Sequence, residues 1–183
     1  MKKIVFFLCL LVFVFGSNNS KADSYKYSPY VGAIYSFADA HAKGAKPEYN
    51  IGGIYVGSEY GKYFSTEIFY NQSTYDTNKI NEVKTRTSYR SYGLDLFAYL
   101  PIDCYNRFNL VSTIGAGEYV FAKKNKGEKH HNDSGWGYRY GGGLKYNFTQ
   151  NWQAKALVRY VNFDGVSDFN HQMEYSFNVE YHF

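Results

Sequence analysis

Cysteine is almost absent from this 183-residue chain, with only Cys9 and Cys104. Cys9 falls in a segment expected to be removed, so Cys104 would stand alone and no intramolecular disulfide can form. A solitary cysteine of this kind is ordinarily incidental. Proline is scarce too, 3 residues against 21 tyrosines, and no linker, second domain or low-complexity tail is visible. The longest apolar run, the 12 residues from Ile4 to Phe15, is well short of the roughly 20 that a membrane-spanning helix needs. No helical period occurs anywhere after it.

That apolar run has its own meaning. Met1-Lys2-Lys3 is a basic start, and polar residues after Phe15 lead to Ser20-Lys21-Ala22, small at the two positions a signal peptidase reads. A secretory signal peptide over residues 1–22, cut before Asp23, is expected. Cys9 sits too early, inside the apolar run, to be a lipoprotein cysteine. Removing 22 of 183 residues leaves 161, and takes away Lys2, Lys3 and Lys21 but no acid. The mature chain then has 17 basic and 16 acidic residues, a net charge of +1 rather than +4. A nucleic-acid partner has no global electrostatic support in such a chain.

What is abundant is two-residue alternation. From Met173 to Phe183, apolar Met173, Tyr175, Phe177, Val179, Tyr181 and Phe183 interleave with Glu174, Ser176, Asn178, Glu180 and His182. Successive side chains of a strand point to opposite faces, so this is a two-faced strand. Its 11 residues match the about 9–11 that a tilted strand needs to cross a bilayer. A strand at the end of a chain leaves an unpaired edge, for which closure into a barrel is the complete remedy.

Seven earlier stretches read similarly: residues 29–38, 49–56, 63–72, 88–100, 108–121, 136–148 and 152–162. The fourth is the clearest, with Leu94, Leu96, Ala98 and Leu100 against Gly93, Asp95, Phe97 and Tyr99. Between the eight strands the connections alternate long and short, with residues 39–48, 73–87, 122–135 and 163–172 long and hydrophilic. This rhythm predicts an all-β fold, an eight-stranded antiparallel up-and-down transmembrane β-barrel over residues 23–183. An immunoglobulin-like sandwich has little reason to alternate so regularly. A soluble barrel such as a lipocalin alternates as well, with its apolar face inward, and period two alone does not say which face meets lipid. The choice rests on the signal peptide, the loop rhythm and the aromatic final strand.

With the apolar face outward, the lumen receives Glu67, Asp95, Glu174 and Glu180 with Arg139, Lys145, Lys155 and Arg159. Eight strands enclose an interior just wide enough for side chains to fill, and unpaired charges there cost several kcal/mol each. A ladder of ion pairs that plugs the barrel is therefore expected; a narrow gated ion path is the alternative. The stretch from Ala122 to Gly135 carries Lys123, Lys124, Lys126, Lys129, His130 and His131, with Asp133 and Ser134 beside them. Neighbouring residues of an extended loop point apart, and neither a zinc spacing nor a catalytic triad is identifiable. No metal, cofactor or catalytic residue is expected. As a solvated basic loop the stretch would attract anions such as lipopolysaccharide phosphates or sulfated host glycans.

These residues also resemble the small outer-membrane barrel family typified by OmpA and OmpX, over about residues 28–183. Tyr30-Val31-Gly32-Ala33 is similar to its first strand, Phe64 to Tyr70 to its third, Tyr140 to Tyr146 to its sixth, and Phe177 to Phe183 to its last. The resemblance implies that the terminal motif, with Tyr181 and Phe183, is the signal read by the barrel assembly machinery. It implies an outer-membrane protein held in lipopolysaccharide-containing lipid, without OmpA's separate peptidoglycan-binding domain. Glu67 matches a lumenal acid of the family. Lys145 stands where OmpA has an acid, so the family's pairing scheme does not carry over. Members of this length act as structural membrane proteins, adhesins or serum-resistance factors. A non-enzymatic monomer with surface loops that meet host molecules is thus expected; a lipid-modifying enzyme of the PagP or PagL type is the alternative, though neither family's motif is present.

Overall fold

The structure is a computed structural model that describes residues 27–42, 47–80, 83–105, 107–125, 131–166 and 169–183. The expected signal peptide lies outside them. The strands are β1 (Tyr27–Ala42), β2 (Glu48–Tyr60), β3 (Phe64–Ser73), β4 (Asp76–Ile80), β5 (Val83–Pro101), β6 (Phe108–Asn125), β7 (His131–Asn147), β8 (Trp152–Asp164) and β9 (Phe169–His182). Eight form a closed cylinder in which sequence neighbours pair antiparallel, β3 meets β5 directly, and β1 closes against β9. Tyr30 lies opposite His182 and Tyr35 opposite Phe177 across that seam. Among the described residues no sheet edge is left open along the barrel wall, so the final strand has the partner its position demands.

β4 is the element the sequence did not suggest. It pairs only with the first residues of β5, Asp76 with Thr87 through Ile80 with Val83, as a hairpin beyond the barrel wall. The hydrophilic stretches expected as loops are shorter than predicted for the same reason. β6 runs on to Asn125 and β7 starts at His131, so much of residues 122–135 is ladder, with Lys123 opposite His131. Beyond the bilayer both faces of a strand meet water, so polar residues occupy both and the period-two contrast disappears while the backbone pairing continues. β2 is also longer than expected: Gly57 to Tyr60, read as part of a turn, belongs to the strand.

The short connections gather at one rim. Gly61, with φ of 69°, makes the β2–β3 turn, a left-handed conformation that glycine adopts without a Cβ penalty. In the β7–β8 turn Thr149 Oγ1 accepts hydrogen bonds from the Asn151 and Trp152 amides at 3.2 and 3.0 Å. In the β5–β6 turn the Asp103 carboxylate accepts from the Arg107 and Phe108 amides at 3.1 and 2.8 Å. Slight desolvation pushes the Asp103 carboxyl up, but these amides outweigh it and hold the group below its ordinary range. This turn's contribution is therefore present at neutral pH and fades as pH falls through the lowered value.

The outer wall is apolar. Val31, Ile54, Leu94, Leu96, Ile114, Leu144, Val158 and Phe177 are all exposed on it, with Tyr35, Tyr138, Tyr140 and Tyr175 toward the rim of the longer connections and Phe108, Phe148, Trp152 and Phe183 toward the other. An exposed apolar belt this continuous has no stable home in water; aromatic residues at both margins suit a bilayer's two interfaces.

Candidate functional site: the barrel interior

The interior is built in two layers. Toward the long-connection rim, inward parity delivers apolar and aromatic side chains: Tyr49 and Ile51 from β2, Tyr89 from β5, Tyr119 and Phe121 from β6, Phe163 from β8 and Phe169 from β9. They pack as a dry core, with Phe121 stacked on Phe169 at 4.1 Å between centroids and Phe163 edge-on to Phe121 at 5.4 Å. Tyr49 donates to Thr87 at 2.9 Å and Gln172 Nε2 donates to Tyr89 at 3.1 Å, while the buried Tyr119 hydroxyl has no hydrogen-bond partner. The lumen residues named from the sequence were all charged, and this aromatic layer was not among them.

Toward the short-turn rim the interior is charged. Asp95 receives Arg139 through Nε at 2.6 Å and through Nη2, and Arg159 Nη1 at 3.3 Å. Arg159 Nη2 reaches Glu174 Oε1 at 2.5 Å, and Ser36 donates to the same oxygen at 3.3 Å. The Arg139 guanidinium lies 3.4 Å from the centroid of the Phe69 ring, a cation–π contact strengthened by the burial of both groups. Gly115 sits opposite Asp95, and a Cβ there would overlap the carboxylate. One step nearer the rim, Lys155 is held by Glu67 and, at 2.8 Å, by Glu180. Tyr30 and Tyr55 donate to Glu67 and Glu180, each at 2.9 Å. At the mouth Lys145 pairs with Glu59.

The eight residues expected in the lumen (Glu67, Asp95, Arg139, Lys145, Lys155, Arg159, Glu174 and Glu180) are all buried inside the barrel, in three groups: Asp95 and Glu174 with the two arginines, Glu67 and Glu180 with Lys155, and Lys145 with Glu59. Two participants were not expected. Glu59 was assigned to a turn, although it continues the inward parity of Tyr49, Ile51 and Tyr55. His182, placed on the polar face of the last strand, hydrogen-bonds Glu180 through Nε2 at 3.3 Å and Ser28 through Nδ1 at 3.0 Å. Of the basic loop, Lys126, Lys129 and His130 lie outside the described residues, while Lys123, Lys124 and His131 lie in the outer extensions of β6 and β7. Tyr181 and Phe183 face outward and touch edge-on at 5.5 Å, with Trp152 against Tyr181 at 5.1 Å.

Glu67→Ala should lower thermal resistance. Lys155 would lose one of two carboxylates and keep Glu180, so the expected loss is about 1–3 kcal/mol, the lower part of the range for a buried charge losing a partner. Unchanged heat resistance in detergent would contradict the pairing.

A closed eight-stranded barrel with an apolar outer belt, aromatic margins and internal ion pairs defines a class, the small membrane β-barrels. Comparison of the sequence with family models agrees: residues 7–183 match the outer membrane protein beta-barrel domain. The chain belongs to that family of outer-membrane proteins. No curated protein matches the sequence. Among solved structures, the chain is similar to Neisserial surface protein A, at 18% identity and a TM-score of 0.68, over 86% of this chain and 99% of that one. It is similar to Ail, the attachment invasion locus protein of Yersinia pestis, solved with the heparin analogue sucrose octasulfate, at 17% identity and a TM-score of 0.57, over 86% and 97% of the two chains. The outer-membrane enzyme PagL shares the fold too, at 14% identity and a TM-score of 0.50, over 80% and 97%. At these identities the likeness is one of fold.

Proposed function

We propose that this chain is a non-enzymatic, sealed outer-membrane barrel whose working surface is its extracellular end. The observation that carries this reading is the two-layer interior: aromatic packing above, a paired charge network below, with the largest inward side chains of both fully buried. A lumen filled in this way offers neither a water column to an ion nor a cleft to a substrate. Interaction then falls to the stretch that joins β6 to β7, whose Lys123, Lys124, Lys126, Lys129, His130 and His131 supply basic groups for lipopolysaccharide phosphates or sulfated glycans of a host cell. The sulfated ligand carried by the Ail structure makes the second class the one to try first.

In the same reading residues 1–22 are the export signal, residues 23–183 the barrel, and Tyr181 and Phe183 the contact for the assembly machinery. The barrel is a monomer, with no nucleic acid, metal or organic cofactor needed for this role. Planar-bilayer recording is the direct test of the seal: the purified barrel should add no steady conductance above the bare membrane. An ohmic current lost on changing Arg139 or Arg159 would establish the narrow-channel alternative instead. Replacing residues 122–135 with a short turn should abolish binding to sulfated glycans while leaving the barrel folded.

A further inference from the structure

At the short-turn mouth carboxylates gather beside an imidazole. Glu59 pairs with Lys145, Glu67 and Glu180 share Lys155, His182 meets Glu180, and Lys62 lines the recess that Glu59 and Lys145 share. Glu59, Glu180 and His182 each bring a ligand atom to within 4.8 Å of the others. Gln153, opposite Glu180 in the ladder, lines the same recess of about 140 Å³ as Glu59 and Lys145. It is 93% buried (7% exposed) and its Oε1 has no hydrogen-bond partner. We propose that Glu59, Glu180 and His182, with the unpartnered Gln153 side chain in the recess that Glu59 lines, form a site for one divalent transition-metal ion of the zinc class.

The geometry is already close to that of a ligand set. Two ligands about 2.0–2.1 Å from a tetrahedral zinc stand roughly 3.3–3.4 Å apart, and His182 Nε2 lies 3.3 Å from Glu180 Oε1. The imidazole is held from behind, since Ser28 Oγ lies 3.0 Å from Nδ1 and the Tyr30 ring stacks on it at 4.7 Å. A hydrogen-bonded second ring nitrogen fixes the orientation in which the first can bind metal. Glu180 keeps Lys155 and Tyr55 on its other oxygen, Oε2, leaving Oε1 for the ion. The competitor is Lys145, which must leave Glu59. Its Nζ already lies 4.1 Å from the centroid of the Tyr99 ring, a second resting place for the ammonium. Imidazole with carboxylates favours zinc and its neighbours over magnesium or calcium, which take oxygen alone.

The test is calorimetric titration of the chelator-treated barrel, folded in detergent micelles, with zinc chloride. One zinc per chain is expected, unaffected by equimolar magnesium. His182→Gln and Glu59→Gln should each weaken binding about tenfold or more, since loss of a group that merely supports a ligand already costs about 10–100-fold. Lys145→Met should tighten it, because the competing cation is gone. Gel mobility without boiling shows which variants have folded, and the opposed effects of Glu59→Gln and Lys145→Met carry the test if His182→Gln does not fold. Absence of zinc binding by the unaltered barrel would overturn the proposal. So would binding indifferent to all three substitutions, which would place the ion at other histidines.

Discussion

Asp95→Ala should be among the most damaging single substitutions in this barrel. Asp95 is fully buried and takes hydrogen bonds from two guanidiniums, Arg139 and Arg159. Removing it leaves Arg159 with Glu174, but strips Arg139 of its hydrogen-bonded acid in a site closed to water. Breaking a buried pair from one side typically costs about 3–5 kcal/mol, a large part of the stability of a domain this size. The folded band on unboiled gels should vanish at a markedly lower temperature or urea concentration. The companion experiment separates the charge from the space it fills. Asp95→Leu combined with Arg139→Met removes both ends of the pair, and apolar replacement of buried ion pairs is often neutral or better. The double variant should therefore be more stable than Asp95→Leu alone. A double variant no better than the single would mean that the pair matters for shape and not for charge.

One residue further along β5, the expected damage has the opposite origin. Leu96 is 43% exposed on the outer wall, midway along the outward run from Tyr92 to Leu100. It lies between Thr66 of β3 and Ile114 of β6. On a water-soluble protein, Leu96→Arg would be close to neutral, because exposed substitutions usually stay within about 0.5 kcal/mol. On a lipid-facing wall a midplane arginine costs about 2–4 kcal/mol. Refolding into phospholipid vesicles followed by urea titration should show a loss of that order, and the same change at exposed Tyr105, in the β5–β6 turn, should show almost none. Adjacent residues thus fail for contrary reasons: Asp95 because its partners need a charge, Leu96 because its surroundings cannot accept one.

Which residues share a face was legible from alternation, and with the loop rhythm and the aromatic final strand so was the outward side; the structure places Leu94, Leu96, Tyr175 and Phe177 outward and Asp95, Glu174 and Glu180 inward. Strand ends were not legible, because alternation needs one greasy and one polar side and both sides are wet beyond the membrane. That is why the β4 hairpin and the outer ladders of β6 and β7 read as loops. The aromatic layer was hidden for a related reason: Tyr89, Tyr119, Phe121 and Phe163 point inward, so aromatic residues on both faces cancel the contrast. Ion-pair partners lie beyond any local pattern. Lys155 and Glu67 are 88 residues apart, and only strand register and the curvature of the closed sheet bring them together. Glu59 shows the cost of one misplaced boundary, since ending β2 at Val56 removed the partner of Lys145 from view.

The claim on which the rest depends is that the wall's outer side is the apolar one and the charges are sealed within a closed cylinder. Electrophoretic mobility in SDS, with and without boiling, tests it most directly. After folding into detergent or lipid, the unboiled protein should migrate as a compact, SDS-resistant form and shift to its full 21.1 kDa position, or that of the processed chain, only on heating. Identical mobility in the two lanes, from a protein that stays dispersed and folded in plain buffer without detergent, would contradict the account.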